Sequence, residues 1–165
     1  MNKIISEISK IGWHFNNTYG RLPETMLSRL YPVPVKSPKL IIINNTLSKE
    51  LDLDFSIIRN EHLAAMFAGN FLPEGSEPIA QAYAGHQFGY FTMLGDGRAI
   101  IIGEHLTKDN RRVDIQFKGS GITPYSRNAD GRAALGPMLR EFVISEAMHA
   151  LNIPTSRSLA VVKTG

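Results

Sequence analysis

The 165-residue chain contains no cysteine. That removes disulfides, thiolate metal sites and cysteine nucleophiles from its chemistry, and it suits a reducing compartment. Long apolar runs are missing as well. No stretch approaches the ~18 residues that cross a bilayer. The start, MNKIISEISKIGWHF, lacks the unbroken apolar centre of a secretory leader. A cytoplasmic chain with no membrane partner is the expectation. Concentrated positive charge is scarce: 18 Lys and Arg are spread along the sequence against 15 Asp and Glu, and only Arg111-Arg112 forms a tight basic pair. That distribution makes no nucleic-acid platform, but it leaves room for a basic pocket around a phosphorylated small molecule. Two nucleotide signatures are also lacking. G-x-x-x-x-G-K-[ST] is absent, which argues against a P-loop NTPase. G-x-G-x-x-G is not met, because position 100 is isoleucine.

What remains is the composition of a globular protein, 43% hydrophobic and 20% charged, long enough to bury a sizeable core. Ile4, Ile5, Ile8 and Ile11 are spaced for one helix face that Gly12 stops. Trp13 and Phe15 follow as core anchors. Prolines 23, 32, 34 and 38 forbid a long regular element and predict an extended arm. Leu40–Ile43 reads as a short strand. Thr46 and Asn60 are candidate caps of two short helices, the second stopped by Gly69. Two strands are expected around the Gly95–Gly97 turn, with Gln81, His86 and Gln87 interleaved among Tyr83, Phe88, Tyr90 and Phe91. His86, with no second histidine at a ligand spacing, reads as a hydrogen-bonded structural residue. Pro137 and Asn152 bracket a helix of about Pro137–Leu151 with Leu135, Met138, Leu139, Phe142 and Met148 as core. Ser156–Lys163 closes the chain as a strand.

Three features between Leu94 and Glu146 point to chemistry. A glycine turn, Gly95-Asp96-Gly97-Arg98, precedes the apolar run Ala99–Ile102. Glycine lets backbone N–H groups approach a phosphate closely. Lys118 ends an alternating strand in which Ile115 and Phe117 share one face and Gln116 and Lys118 the other. Such a lysine is either a solvated edge charge or a mobile phosphate ligand. Glu141 lies 23 residues later on the predicted helix. Glycine turn, strand lysine and helix glutamate, in that order, is the layout with which kinase-like folds hold nucleotide phosphates. Glu146 competes for the third role. It sits about 140° around the helix from Glu141, so one of the two can face the lysine. The loop between strand and helix carries four hydroxyls, Ser120, Thr123, Tyr125 and Ser126, and charges Arg127, Asp130 and Arg132 around Gly131. It is either flexible or phosphate-binding.

The runs NNTYGRLPETM, AYAGHQFGYFTMLGDGRAIIIGE, DIQFKGSGITPYSRNADGRAALGPMLREFVISEAM and LNIPTSRSLAVV resemble the selenoprotein O family, from about residue 15 to the last. The resemblance implies a protein-kinase-like fold and transfer of AMP from ATP to Ser, Thr or Tyr hydroxyls of proteins. It implies that Gly95, Gly97 and Arg98 contact phosphate, that Lys118 contacts phosphate with Glu141 as its ion-pair partner, and that Asp130 and Gly131 belong to a second loop on the nucleotide. It also implies Mg²⁺ or Mn²⁺, whose ligands match nothing in this chain, as do the catalytic-loop aspartate and the redox-active C-terminal residue. The expected fold is α+β. Residues 1–78 form a helical and proline-rich arm, and 79–165 a kinase-like small lobe of about five antiparallel strands and one helix. The expected function is the ATP-binding part of a protein adenylyltransferase, inactive by itself and exposing an apolar face around Leu159, Val161 and Val162. A non-catalytic, pseudokinase-like docking module is the alternative.

Overall fold

A computed structural model describes residues 2–87 and 89–165, with side chains from residue 4 onward. The fold is α+β, and the chain forms two compact units that interleave in sequence. One comprises residues 14–33 and 74–133; the other comprises 1–13, 34–73 and 134–165.

The first unit is a five-stranded antiparallel sheet. It contains β1 (Leu27–Arg29), β3 (Ile79–Gln87), β4 (Tyr90–Gly95), β5 (Ala99–Leu106) and β6 (Arg112–Lys118). The order is β1-β3-β5-β6, with β4 also on β3. β5 is the centre, with Ile100 and Ile102 fully enclosed. Removing each such side chain from water stabilises the fold by about 1.5–3 kcal/mol. On β6 the alternation holds as expected: Ile115 and Phe117 are buried, while Gln116 and Lys118 are exposed. Leu27, Ile79 and Ile101 pack together under Tyr19.

The proline-rich arm is not featureless, since its centre supplies β1. The NNTY segment before it is tied to β5. Phe15 bridges His105, and Glu104 N–H donates to Asn17 Oδ1 at 2.9 Å. A Cβ on Gly103 would strike Phe15 and Asn17 within 3 Å, so this close approach requires glycine there.

The second unit carries α1 (Asn2–Ile8), β2 (Lys39–Ile43), α2 (Asn45–Glu50), α3 (Asn60–Phe67), α4 (Leu135–Ala150) and β7 (Ala160–Lys163). β2 and β7 pair antiparallel, and α3 and α4 contact β7. Ile8 and Ile11 are buried, but Ile5 is 51% exposed, so the predicted N-terminal stripe packs only at its end. The cap of α2 is Asn44, whose Oδ1 accepts Leu47 N–H at 3.0 Å, rather than Thr46. Asn60 lies inside α3 and does not cap it. Gly69 and Asn152 take the expected left-handed conformation after α3 and α4. α4 departs from expectation in one respect: none of its residues is buried. Leu135, Met138, Leu139, Phe142 and Met148 are half-buried, and Val143 and Ile144 are 64% and 60% exposed. Val161, expected on an open apolar edge, is instead buried where β7 meets β2.

Candidate nucleotide-phosphate site

The glycine turn does not join two paired strands. β4 and β5 both run along β3, which makes the turn an interruption in one long ladder. In β3–β4 the register sets Ala82 opposite Gly95 and Tyr83 opposite Leu94. Continued, it would put Arg98 opposite Ile79, but Ile101 is there. Asp96, Gly97 and Arg98 are therefore looped out as a three-residue bulge. Bulges of this kind re-aim side chains and recur beside active sites.

The bulge is held from outside by the loop that follows β6. Tyr125 lies on Gly95: a Cβ there would stand 2.3 Å from the ring. A Cβ on Gly97 would be 2.8 Å from the Tyr125 carbonyl oxygen. Neither glycine has positive φ, so close approach, not backbone conformation, explains both. The four hydroxyls expected to serve either mobility or phosphate bond internally. Thr123 donates to the Asp96 carbonyl at 2.6 Å, Ser126 to the Gly97 carbonyl, and Ser120 to the Phe117 carbonyl at 3.1 Å. Tyr125 and Ser28 share a hydrogen bond at 3.0 Å. The loop is thus a built clamp on the bulge.

Two cations bracket this construction. Lys118 sits opposite Ala99, and the next N–H, of Gly119, donates to the Arg98 carbonyl at 2.6 Å. Both Lys118 and Arg98 are exposed. The loop closes on itself through Gly131, whose left-handed backbone lies against Gly121, with Gly121 N–H donating to the Gly131 carbonyl at 3.3 Å. Asp130 is exposed and accepts Arg132 N–H at 2.9 Å. Gly95, Gly97, Arg98, Lys118, Asp130 and Gly131 therefore all belong to one unit. Glu141 is exposed on α4 of the other.

Glu146, the competitor, is committed within its own unit. Arg157 donates to both of its carboxylate oxygens, at 2.9 and 2.6 Å, and to Glu50 at 2.7 Å. The Arg157 hydrogen bond is the main reason the Glu146 carboxyl lies below its ordinary range. This pair anchors α4 to the segment before β7. His86 is exposed on β3, opposite Phe91, and not a core residue. Phe88 lies outside the described residues.

Two acidic residues gained importance that their types alone did not signal. Asp96 is 6% exposed, and burial pushes its carboxyl up, against hydrogen bonds from Gln81 N–H and Tyr83. Glu104 is equally enclosed. Burial would raise it, but Tyr19 N–H, the Thr18 hydroxyl and N–H, and Arg112 together hold its carboxyl below the usual range. Tyr19 N–H and the Thr18 hydroxyl each lie 2.7 Å from the Glu104 carboxylate, so Glu104 is what fastens the NNTY segment to β5. Among the described residues no group of three or more His, Asp or Glu side chains could hold a metal. Among the described residues no helix is long and apolar enough to cross a membrane.

Comparison with known proteins gives this arrangement a context. The model of the family described as protein adenylyltransferase SelO matches residues 10–165. A protein nucleotidyltransferase YdiU from Pelagibacter ubique is 68% identical over 155 residues, covering 94% of this chain and 32% of the relative. Its namesake from Nitrosococcus oceani is 67% identical, covering 94% and 31%. That from Anoxybacillus flavithermus is also 67% identical, covering 93% and 32%. The chain thus spans about a third of the length of the curated relatives it matches.

Proposed function

The chain belongs to the SelO family of protein adenylyltransferases, and from that premise we propose that it is the ATP-binding part of an enzyme that moves AMP onto protein hydroxyls. In the reaction an acceptor Ser, Thr or Tyr oxygen attacks the α-phosphorus of ATP. The new P–O bond forms as the bond to the α,β-bridging oxygen breaks, the hydroxyl proton is lost, and pyrophosphate leaves. The observation that carries the reading is the glycine bulge with Lys118 and Arg98 on either side of the Gly119–Arg98 hydrogen bond. An exposed lysine and arginine beside backbone without side chains supply charge and N–H donors for phosphate oxygens. Asp130 and Gly131 complete the loop side of the site. Glu141 is assigned as the partner of Lys118. Support for that choice comes from Glu146, which Arg157 already occupies.

Metal ligands and the group that orients the attacking hydroxyl are assigned to the remainder of the full-length protein. These 165 residues alone should then transfer nothing. A cytoplasmic location, where ATP is abundant, fits the same reading. The experiment is incubation of full-length protein, Mg²⁺ or Mn²⁺ and a protein acceptor with ATP labelled at the α- or the γ-phosphate. Label from the α position should enter protein and label from the γ position should not. Entry of γ label would make the enzyme a kinase and overturn the proposal.

The pseudokinase-like docking alternative draws on one observation, the exposure of Val143, Ile144 and Leu151 on and after α4. It predicts no label transfer from either position by the full-length protein.

A further inference from the structure

The bulge contains an acidic residue to which phosphate binding gives no task. In an unbroken antiparallel ladder, Gln81 and Asp96 would exchange two main-chain hydrogen bonds. One is present: Asp96 N–H donates to the Gln81 carbonyl at 2.9 Å. The return bond is different. Gln81 N–H donates to Asp96 Oδ2, also at 2.9 Å, so the side chain takes the place of its own carbonyl. The carbonyl so released turns to Thr123, whose hydroxyl donates to it at 2.6 Å. Asp96 is the residue at which the strand leaves the ladder. The next two carbonyls, of Gly97 and Arg98, are received by Ser126 and by Gly119 N–H. The geometry is specific to a short side chain with an acceptor oxygen one carbon beyond Cβ. Alanine would leave the Gln81 N–H without its partner, and the carbonyl could then return to the ladder and straighten the strand.

We propose that Asp96 is the positioning residue of the phosphate turn: by substituting its carboxylate for its own carbonyl on β3, it sets the three-residue bulge and so holds Gly97 and Arg98 where phosphate meets them. This rests on the ATP reading above. The carboxylate is aimed into the sheet, at Gln81 N–H. That direction explains how an acid is tolerated in an anion site. The role needs an acceptor, not a charge, so asparagine should serve where alanine fails.

The test is titration of full-length Asp96→Ala and Asp96→Asn with ATP and with adenosine, on protein whose folding is checked by circular dichroism. Asp96→Ala should bind ATP on the order of tenfold more weakly, with adenosine affinity held within about twofold. Asp96→Asn should restore ATP affinity. Thr123→Val, which withdraws the hydroxyl from the released carbonyl, should give the same selective loss to a smaller degree. It carries the test if Asp96→Ala does not fold. Overturning results are wild-type ATP affinity in a folded Asp96→Ala or Thr123→Val protein, equal losses for ATP and adenosine, or an asparagine variant no better than alanine. Lys118→Ala separates the two levels. If it loses ATP selectively and Asp96→Ala does not, only the role of Asp96 falls. If Lys118→Ala keeps full ATP affinity, the phosphate reading falls first.

Discussion

Replacing Gly95 by alanine isolates the reason for that glycine. The added methyl would stand 2.3 Å from Tyr125 Cγ and 2.7 Å from both Cδ atoms, against about 3.5–4.0 Å for carbon atoms in contact. The ring must therefore retreat by more than an ångström. It cannot do so freely, because its hydroxyl is bonded to Ser28 at 3.0 Å. Overpacking of this kind costs about 1–3 kcal/mol, and loss of the Ser28 bond about 0.5–1.5 kcal/mol more. Together they place the destabilisation at about 2–4 kcal/mol. In a chain of this size each kcal/mol lowers Tm by about 2–4 °C. Urea denaturation of Gly95→Ala would measure the loss. Gly85→Ala is the control, since nothing lies within 4 Å of its Cβ position and the cost there should be near zero. In a Tyr125→Ala background the Gly95→Ala penalty should largely vanish, a coupling of at least about 1 kcal/mol. Wild-type stability for Gly95→Ala, or the same penalty with and without the Tyr125 ring, would refute the close-approach explanation.

Other consequences can be checked separately. Glu104 has a depressed carboxyl pKa, so its contribution is present above the unfolded-state value of about 4.3 and is lost as pH falls through the lower folded value. Urea midpoints measured from pH 7 to pH 3 should fall less steeply in Glu104→Gln, which should also be less stable by about 1.5–3 kcal/mol at pH 7; an unchanged acid slope would contradict this. Glu141→Gln should cut AMP transfer by the full-length enzyme without a loss of stability. Glu146→Gln should lower stability by about 1–3 kcal/mol through loss of the two-oxygen ion pair with Arg157, which retains Glu50, and leave transfer by the folded protein largely intact; the reverse pattern would exchange their roles. The 165 residues alone should bind ATP no better than on the order of 1 mM by calorimetry, worth about 4 kcal/mol; AMP incorporation by them would show that the catalytic groups lie within this chain.

Much of this architecture was legible from local chemistry. Asn152 has the left-handed backbone expected after α4, and the alternation in Asp114–Lys118 put Ile115 and Phe117 in the core and Lys118 outside. Signals of this kind act over a few residues. The glycine turn shows where they end. Gly95-Asp96-Gly97-Arg98 looks the same in sequence whether it closes a hairpin or bulges from a ladder, and only the register with β3 distinguishes the two. The hydroxyls of Ser120, Thr123, Tyr125 and Ser126 suit phosphate by type, yet their partners are backbone carbonyls and Ser28. Asp96 and Glu104 were hidden for the same reason, since a carboxylate's task depends on which distant N–H groups reach it. Helix α4 marks the opposite limit: its apolar residues called for a core, and among the described residues they are only half covered.

The central claim is that Lys118, beside the glycine bulge, holds the phosphates of an ATP whose AMP is passed to protein. Its most direct measurement is intact-mass analysis of an acceptor protein after incubation with ATP and either wild-type or Lys118→Ala full-length enzyme, both shown to be folded. The wild type should add the mass of one or more AMP groups to the acceptor, and Lys118→Ala should add none. An AMP adduct formed equally well by Lys118→Ala would contradict the claim.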